Sequence, residues 1–358
     1  MKITRLLSLC AVLGVLVLSA LLSGCSGCGK PSDRTPTADR GDQSAQTDPL
    51  SPWEETTIDS AEQAYDPARY VVIATAEDLM AFHRAVNLDG FRFDGMTVIF
   101  LDDVDMSAYP WTPLDGGKLV GVTFDGQGHT LSGLRFADYE YPSDAEPDNA
   151  DKGCGLIDVA EGDLLFRDLT LADSHVTAYD RSVGLFIGSI KQGLVRFENC
   201  HTVDFTAEGW MDWFHSDKTS GGHAVAMRLG GFVGYVDREG RVAFADCSVE
   251  GLTLSGFHHM AGFVGYDGSG TLDASCFSNC TVKGAEITFS YCLAEGYSVD
   301  QPQKFVAVFF NARDWADTTA LCTAAGNRYS DVFFYDWADN NSAYTPENFT
   351  SSRPETSP

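Results

Sequence analysis

The sequence predicts an all-β solenoid of stacked parallel strands, closed at its N-terminal end by a helix. Three observations predict it: two short patterns that recur in step, strand-forming stretches broken by Gly, Asp and Asn, and one capped amphipathic segment upstream of them.

The first pattern is apolar and glycine-rich. It reads Gly155-Leu156-Ile157-Asp158, Leu185-Phe186-Ile187-Gly188, Gly231-Phe232-Val233-Gly234 and Gly262-Phe263-Val264-Gly265, with spacings of 30, 46 and 31 residues. The second begins at Phe166-Arg167-Asp168-Leu169 and returns as Phe197-Glu198-Asn199-Cys200, Phe244-Ala245-Asp246-Cys247 and Phe277-Ser278-Asn279-Cys280, with spacings of 31, 47 and 33. Both series share the one long interval, so the repeat is real. A unit of this size buries no core alone but does so when stacked on its neighbours.

Stacking turns equal positions into columns. Phe166, Phe197, Phe244 and Phe277 should form an inward aromatic stack. Asp168, Asn199, Asp246 and Asn279 should sit at a bend, because Asn and Asp tolerate unusual backbone angles. Their alternation keeps carboxylates from adjoining. Leu169, Cys200, Cys247 and Cys280 face inward, as do Leu171, Thr202, Val249 and Val282. A buried cysteine is a small apolar group, so the cysteine column reads as packing rather than metal or redox chemistry.

Upstream, Thr75-Ala76-Glu77-Asp78-Leu79 starts a helix with a cap and an acidic first turn, and Leu79, Phe82 and Val86 share one face. It should cover the open end of the solenoid, since uncovered edges invite aggregation. Strands are expected over 97–101 and 118–124, and a last coil near Phe305-Val306-Ala307-Val308-Phe309-Phe310.

The first residues read as an export signal over 1–24. Lys2 and Arg5 give a positive start, and residues 6–22 are an apolar run too short to span a membrane comfortably. The ending Leu22-Ser23-Gly24-Cys25 resembles the lipobox of bacterial lipoproteins. That resemblance implies cleavage before Cys25, lipid on Cys25 and anchorage at the extracytoplasmic face of a cell membrane. Buried acyl chains hold a protein there at about 0.8 kcal/mol per methylene. Residues 25–66, rich in Ser, Thr, Pro, Asp, Gly and Gln, read as a disordered linker, and 340–358 as a disordered tail. The folded part is expected over 67–339, with repeats over about 150–310.

Net charge is −27, or −29 once Lys2 and Arg5 leave with the signal. Such a chain repels nucleic acid and anionic headgroups. Seven cysteines remain in the folded part, an odd number that leaves at least one thiol free or paired between chains. Cys276 and Cys280 lack a second close pair, and the histidines show no metal spacing, so neither metal nor cofactor is expected.

These residues resemble the GLUG-repeat, pectin-lyase-like β-helix proteins of bacterial surfaces. The likeness rests on the Thr-x-Glu-Asp-Leu helix, Leu101 to Ser107, the segment Phe124-Asp125-Gly126-Gln127-Gly128-His129-Thr130-Leu131-Ser132-Gly133-Leu134, and the Gly-Phe-Val-Gly elements. It implies a right-handed parallel β-helix, surface display and no catalytic residues of its own. Asp158 departs from it, standing where glycine is usual.

Three functions stay open: binding or adhesion to carbohydrate or a surface polymer, a polysaccharide lyase or glycosidase, and a structural spacer. Catalysis needs clustered carboxylates; Asp102, Asp103 and Asp105 are the densest group, but the resemblance implies that this segment is a structural strand end. Binding has one candidate. The long interval carries Trp210, Trp213, Phe214 and His215, and exposed aromatics in a solenoid insertion suit sugar faces. The plainer alternative is that these rings fold back over the coil. The acidic insertion over 139–152 reads as a solvated loop.

Overall fold

Parallel strands bring equal positions of successive coils opposite one another, and the phenylalanine column falls into that register. Phe166 pairs with Phe197, Phe197 with Phe244 and Phe244 with Phe277. Parallel strands lie about 4.8 Å apart, so each ring lands on the next. The centroids are 5.0, 5.0 and 5.1 Å apart, with planes within 13°. Phe124 extends this ladder at one end and Phe310 at the other. A second ladder, Phe186, Phe232, Phe263 and Phe309, runs beside it. The ladders meet edge to face, as Phe186 and Phe197 do at 5.3 Å and 75°, the arrangement the ring quadrupole favours. All these rings are buried.

The computed structural model describes residues 67–136, 153–179, 181–210, 228–257, 259–290, 306–312, 318–336, 342–344 and 346. Its strands form three sheets. Sheet A runs from Tyr70–Ile73 through Thr97–Phe100, Val122–Asp125, Leu164–Arg167, Ile187–Glu198, Val233–Ala245 and Val264–Asp267 to Phe310–Ala312. Sheet B includes Val104–Asp105, Thr130–Ser132, Thr170–Tyr179, His201–Trp210, Ser248–Glu250, Thr281–Ser290 and Arg328–Asp336. Sheet C stacks Gly153–Cys154, Ser182–Gly184, Arg228–Gly230, His259–Ala261 and Val306–Ala307. Each full coil passes from C to A to B, and these strands pair in parallel. The fold is a parallel β-helix, as the repeats predict.

The bend column behaves as expected and does more. Asp168, Asn199, Asp246 and Asn279 all hold φ between 50° and 56°. Asn199 Nδ2 donates to Asp168 Oδ1 at 2.8 Å, and Asn279 Nδ2 to Asp246 Oδ1 at 2.7 Å. Alternation therefore supplies a donor to each of these two carboxylates as well as separating them. A second bend column was not foreseen. Gly133, Asp173, Asp204, Gly251, Gly284 and Asp331 occupy the left-handed region halfway along sheet B. Its mixed Gly and Asp content has no constant flanking motif to reveal it.

Cys200, Cys247 and Cys280 are buried free thiols that donate to backbone carbonyls at 3.5, 3.2 and 3.5 Å. Burial pushes Cys200 up to about 12 and Cys280 up to about 11, and it raises Cys247 as well. Such thiols are inert packing groups. Asn327 closes the column: its Oδ1 accepts from Cys280 N at 2.8 Å and its Nδ2 donates to Phe277 O at 3.1 Å.

The last glycine of the Gly-Phe-Val-Gly element has a steric cause. A Cβ at Gly188 would lie 2.1 Å from Cys154 N, and one at Gly234 2.5 Å from Val183 N. At these points sheet A lies directly on the sheet C strand of the coil before. Asp158 departs from the pattern in the coil where sheet C begins, and among the described residues no earlier sheet C strand lies beneath it. Its carboxylate instead accepts from Gly116 N at 2.9 Å and from Val159 N.

Helix α1 (Ala76–Asn87) opens with the expected capping box, Thr75 with Asp78. Leu79, Met80, Phe82, His83 and Val86 are buried on its inner face. The Phe82 ring stands 6.5 Å from Phe124, so the helix covers the end of the ring ladder. The expected strand over 118–124 starts later, at Val122, because Asp115 caps a short 3-10 turn at Gly116–Lys118. At the other end the domain continues further than the repeats suggest. Helix α2 (Thr318–Ala324) and the strand Arg328–Asp336 complete a final coil, and Ser342–Tyr344 pairs antiparallel with that strand. The span assigned to the tail therefore contributes a short strand.

Candidate binding face

The chain turns from sheet B to sheet C at five places. The strand ends there are Phe136 to Gly153, Tyr179 to Ser182, Trp210 to Arg228, Phe257 to His259, and Ser290 to Val306. The intervening residues number 16, 2, 17, 1 and 15. Long and short connections thus alternate, and all three long ones leave from one corner. Sequence reading singles out two of them; the third, 291–305, precedes the last coil and has no partner pattern to measure it against. Residues 137–152, 211–227 and 291–305 lie outside the described residues.

Trp210 is the last residue of the strand His201–Trp210 and pairs with Tyr179. This places its backbone at the corner. Its side chain, and Trp213, Phe214 and His215 entirely, lie outside what is described. Cys25 does too.

At the foot of this corner lies a stack that sequence reading missed. Ser182, Arg228 and His259 form one register column at the start of sheet C. The Arg228 guanidinium lies 3.7 Å from the Tyr235 ring centroid and 5.8 Å from that of Tyr266. Tyr235 stacks on Tyr266 at 6.0 Å, and His259 on Tyr266 at 4.0 Å. Ser182 Oγ is buried without a hydrogen-bond partner. Burial pushes the Tyr235 phenol up to about 12, against the pull of Arg228, and its hydroxyl donates to Asp237 Oδ1 at 3.1 Å. A phenol so placed stays protonated near neutrality and supplies no base. The stack braces the coil that carries the long connection after Trp210. The 47-residue interval hid it, because Arg228 and His259 share no motif.

Elsewhere several carboxylates hold backbone amides or cations. A shallow groove of about 550 Å³ crosses three coils past Glu161, Asp163, Gln192 and Glu239. Glu161 pairs with Lys191 Nζ at 2.8 Å, and Asp163 Oδ1 accepts from Leu194 N at 2.7 Å. In the acidic cluster, Asp102 accepts from Asp103 N, Asp103 from Thr130 N at 2.8 Å, and Asp105 from Ser107 N at 2.8 Å. Those backbone amides hold the exposed Asp103 and Asp105 carboxyls below the usual range. The cluster fastens a strand end. Among the described residues no group of three His, Cys, Asp or Glu could hold a metal ion. None of their helices is long and apolar enough to cross a membrane.

Fold and corner together define a class: a parallel β-helix whose long connections leave from one corner. No protein family matches the chain, and no curated protein matches it. Among solved structures it is similar to one described as a "putative immunoglobulin A1 protease from Bacteroides ovatus". The two share 12% identity over 78% of this chain and 80% of the other, at a TM-score of 0.35. A likeness of that size carries no argument about fold or activity.

Proposed function

We propose that this chain is a lipid-anchored, extracytoplasmic β-helix of the GLUG-repeat kind that binds a carbohydrate or other surface polymer without catalysis. The observation that carries the binding reading is the shared corner of the three long connections, since insertions on one face of a solenoid commonly form its binding face. One of them holds Trp213, Phe214 and His215 directly after Trp210. Flat rings suit sugar faces, and aromatic patches in loops mark contact sites. The lipobox ending at Cys25 supports the anchor, and the steric need for glycine at 188 and 234 supports the repeat. The enzyme reading is weaker, because Glu161, Asp163 and Asp103 each already hold a partner.

A glycan array probed with the mature protein tests this. We expect binding to at least one glycan class, reduced at least about tenfold in a Trp210→Ala/Trp213→Ala variant, a loss on the scale of one hot spot. Silence on every glycan, or release of unsaturated or reducing ends from a polysaccharide, sinks the proposal.

A further inference from the structure

The N-terminal cap holds two buried nitrogens without a hydrogen-bond partner, His83 Nδ1 and Trp111 Nε1. Both belong to the contact between α1 and the segment after Met106. The His83 and Trp111 rings lie 4.9 Å apart, tilted by 58°, and both residues are buried. The other ring nitrogen of His83, Nε2, lies 2.9 Å from Thr112 O, 2.8 Å from Thr112 Oγ1 and 3.0 Å from Asn87 Nδ2. Asn87 in turn donates to Pro113 O and accepts from Asp115 N. His83 is therefore the pin of a short network that holds α1 over the end of the ring ladder.

A neutral imidazole satisfies Nε2 and leaves Nδ1 as a single orphan. A protonated one must carry N–H on both nitrogens, which places a charge and an unmatched donor in a buried site whose other orphan, the Trp111 N–H, is also a donor. An unmatched buried donor is costly, and an unpaired buried charge more so. We propose that His83 makes the N-terminal cap an acid-sensitive clasp: its protonation releases α1 and uncovers the Phe82–Phe124 end of the aromatic ladder.

The charged groups on the surrounding elements hold other partners. Glu77 accepts from the Tyr109 hydroxyl, Arg84 pairs with Asp89, and Lys118 pairs with Asp115. Asp158 holds Gly116 N. The sign follows from burial. Desolvation lowers the His83 pKa, partly offset by the Thr112 carbonyl. Its contribution is whole above the unfolded histidine value of about 6.5, begins to be lost as pH falls below that value, and is gone once pH has fallen through the lower folded value. Asp158 works the other way, since burial raises its carboxyl and acid relieves it. Glu77 is held below the ordinary carboxylate value and stays ionised in this window. Loosening of α1 on mild acidification therefore points to His83.

Hydrogen exchange on the full mature chain between about pH 7.5 and pH 5.5, corrected for intrinsic rates, tests the clasp. We expect protection of the α1 amides to fall by about threefold or more across that window, because the released imidazole binds a proton more readily than the buried one. The strand Val233–Ala245 should be unchanged, and a His83→Gln variant should be flat. If α1 protection in the native chain is flat, or if His83→Gln keeps the same slope, the proposal is overturned. Should His83→Gln not fold, the imidazole resonances of the native chain decide. A midpoint below the free histidine value supports the clasp; one at or above it, as an imidazolium stabilised over the Trp111 face would give, overturns it.

Discussion

Replacing Phe197 with alanine should destabilise the domain by about 3–5 kcal/mol, the range for truncating a fully buried aromatic ring. Phe197 is 0% exposed and sits mid-ladder. It stacks on Phe166 and Phe244 at 5.0 Å each and meets Phe186 and Phe232 edge-on at 5.3 Å. Four ring contacts therefore go at once, and the cavity opens between coils that touch only their neighbours. Urea unfolding followed by far-ultraviolet circular dichroism gives the number. Phe333→Ala is the control: that ring is 36% exposed on the last coil, and its loss should stay within about 1 kcal/mol. Equal effects at the two positions would show that the ring ladder does not hold the core.

A single methyl group should be as damaging at Gly188. Its Cβ would sit 2.1 Å from Cys154 N and 2.2 Å from Gly153 Cα, both backbone atoms that no rotamer change can move. Relief requires parting sheet A from sheet C. We expect Gly188→Ala to lose about 3 kcal/mol or more, the upper range of overpacking, and to accumulate as insoluble protein. Gly270→Ala separates crowding from backbone strain. Gly270, unlike Gly188, holds positive φ, at 70°, and nothing lies within 4 Å of its added Cβ, so only the left-handed penalty of about 1–2 kcal/mol applies. A soluble Gly188→Ala protein with native stability would contradict the packing of sheet A on sheet C.

The register of the core was legible in the sequence because a parallel solenoid repeats its chemistry at fixed intervals. The phenylalanine, Asp/Asn and cysteine columns each recur beside a constant neighbour, so alignment of the repeats already placed them. The second bend column and the Arg228–Tyr235–Tyr266–His259 stack recur in shape but not in residue type, and shape is not visible in letters. Asp158 reads as an exception until its place in the first described sheet C coil explains the side chain. The strand Arg328–Asp336 went unnoticed because its coil reaches sheet B through helix α2 rather than through the usual Phe-x-Asp/Asn bend. Of the candidate site, composition pointed to Trp210, Trp213, Phe214 and His215, while the gathering of three long connections at one corner emerged only from the strand ends. The pairing of His83 with Trp111 brings together residues far apart in the chain, which no local pattern announces.

The claim on which the functional reading rests is that the domain is displayed from a lipid-bearing Cys25. Mass spectrometry of the N-terminal peptide, from protein extracted with detergent out of the membrane fraction of its bacterial host, measures this most directly. The account predicts a peptide that begins at Cys25 and carries a thioether-linked diacylglycerol, with Met1 to Gly24 gone. A Cys25→Ala chain should leave the membrane fraction. An unmodified cysteine, or a mature chain that begins elsewhere and is recovered from the soluble fraction, would contradict it.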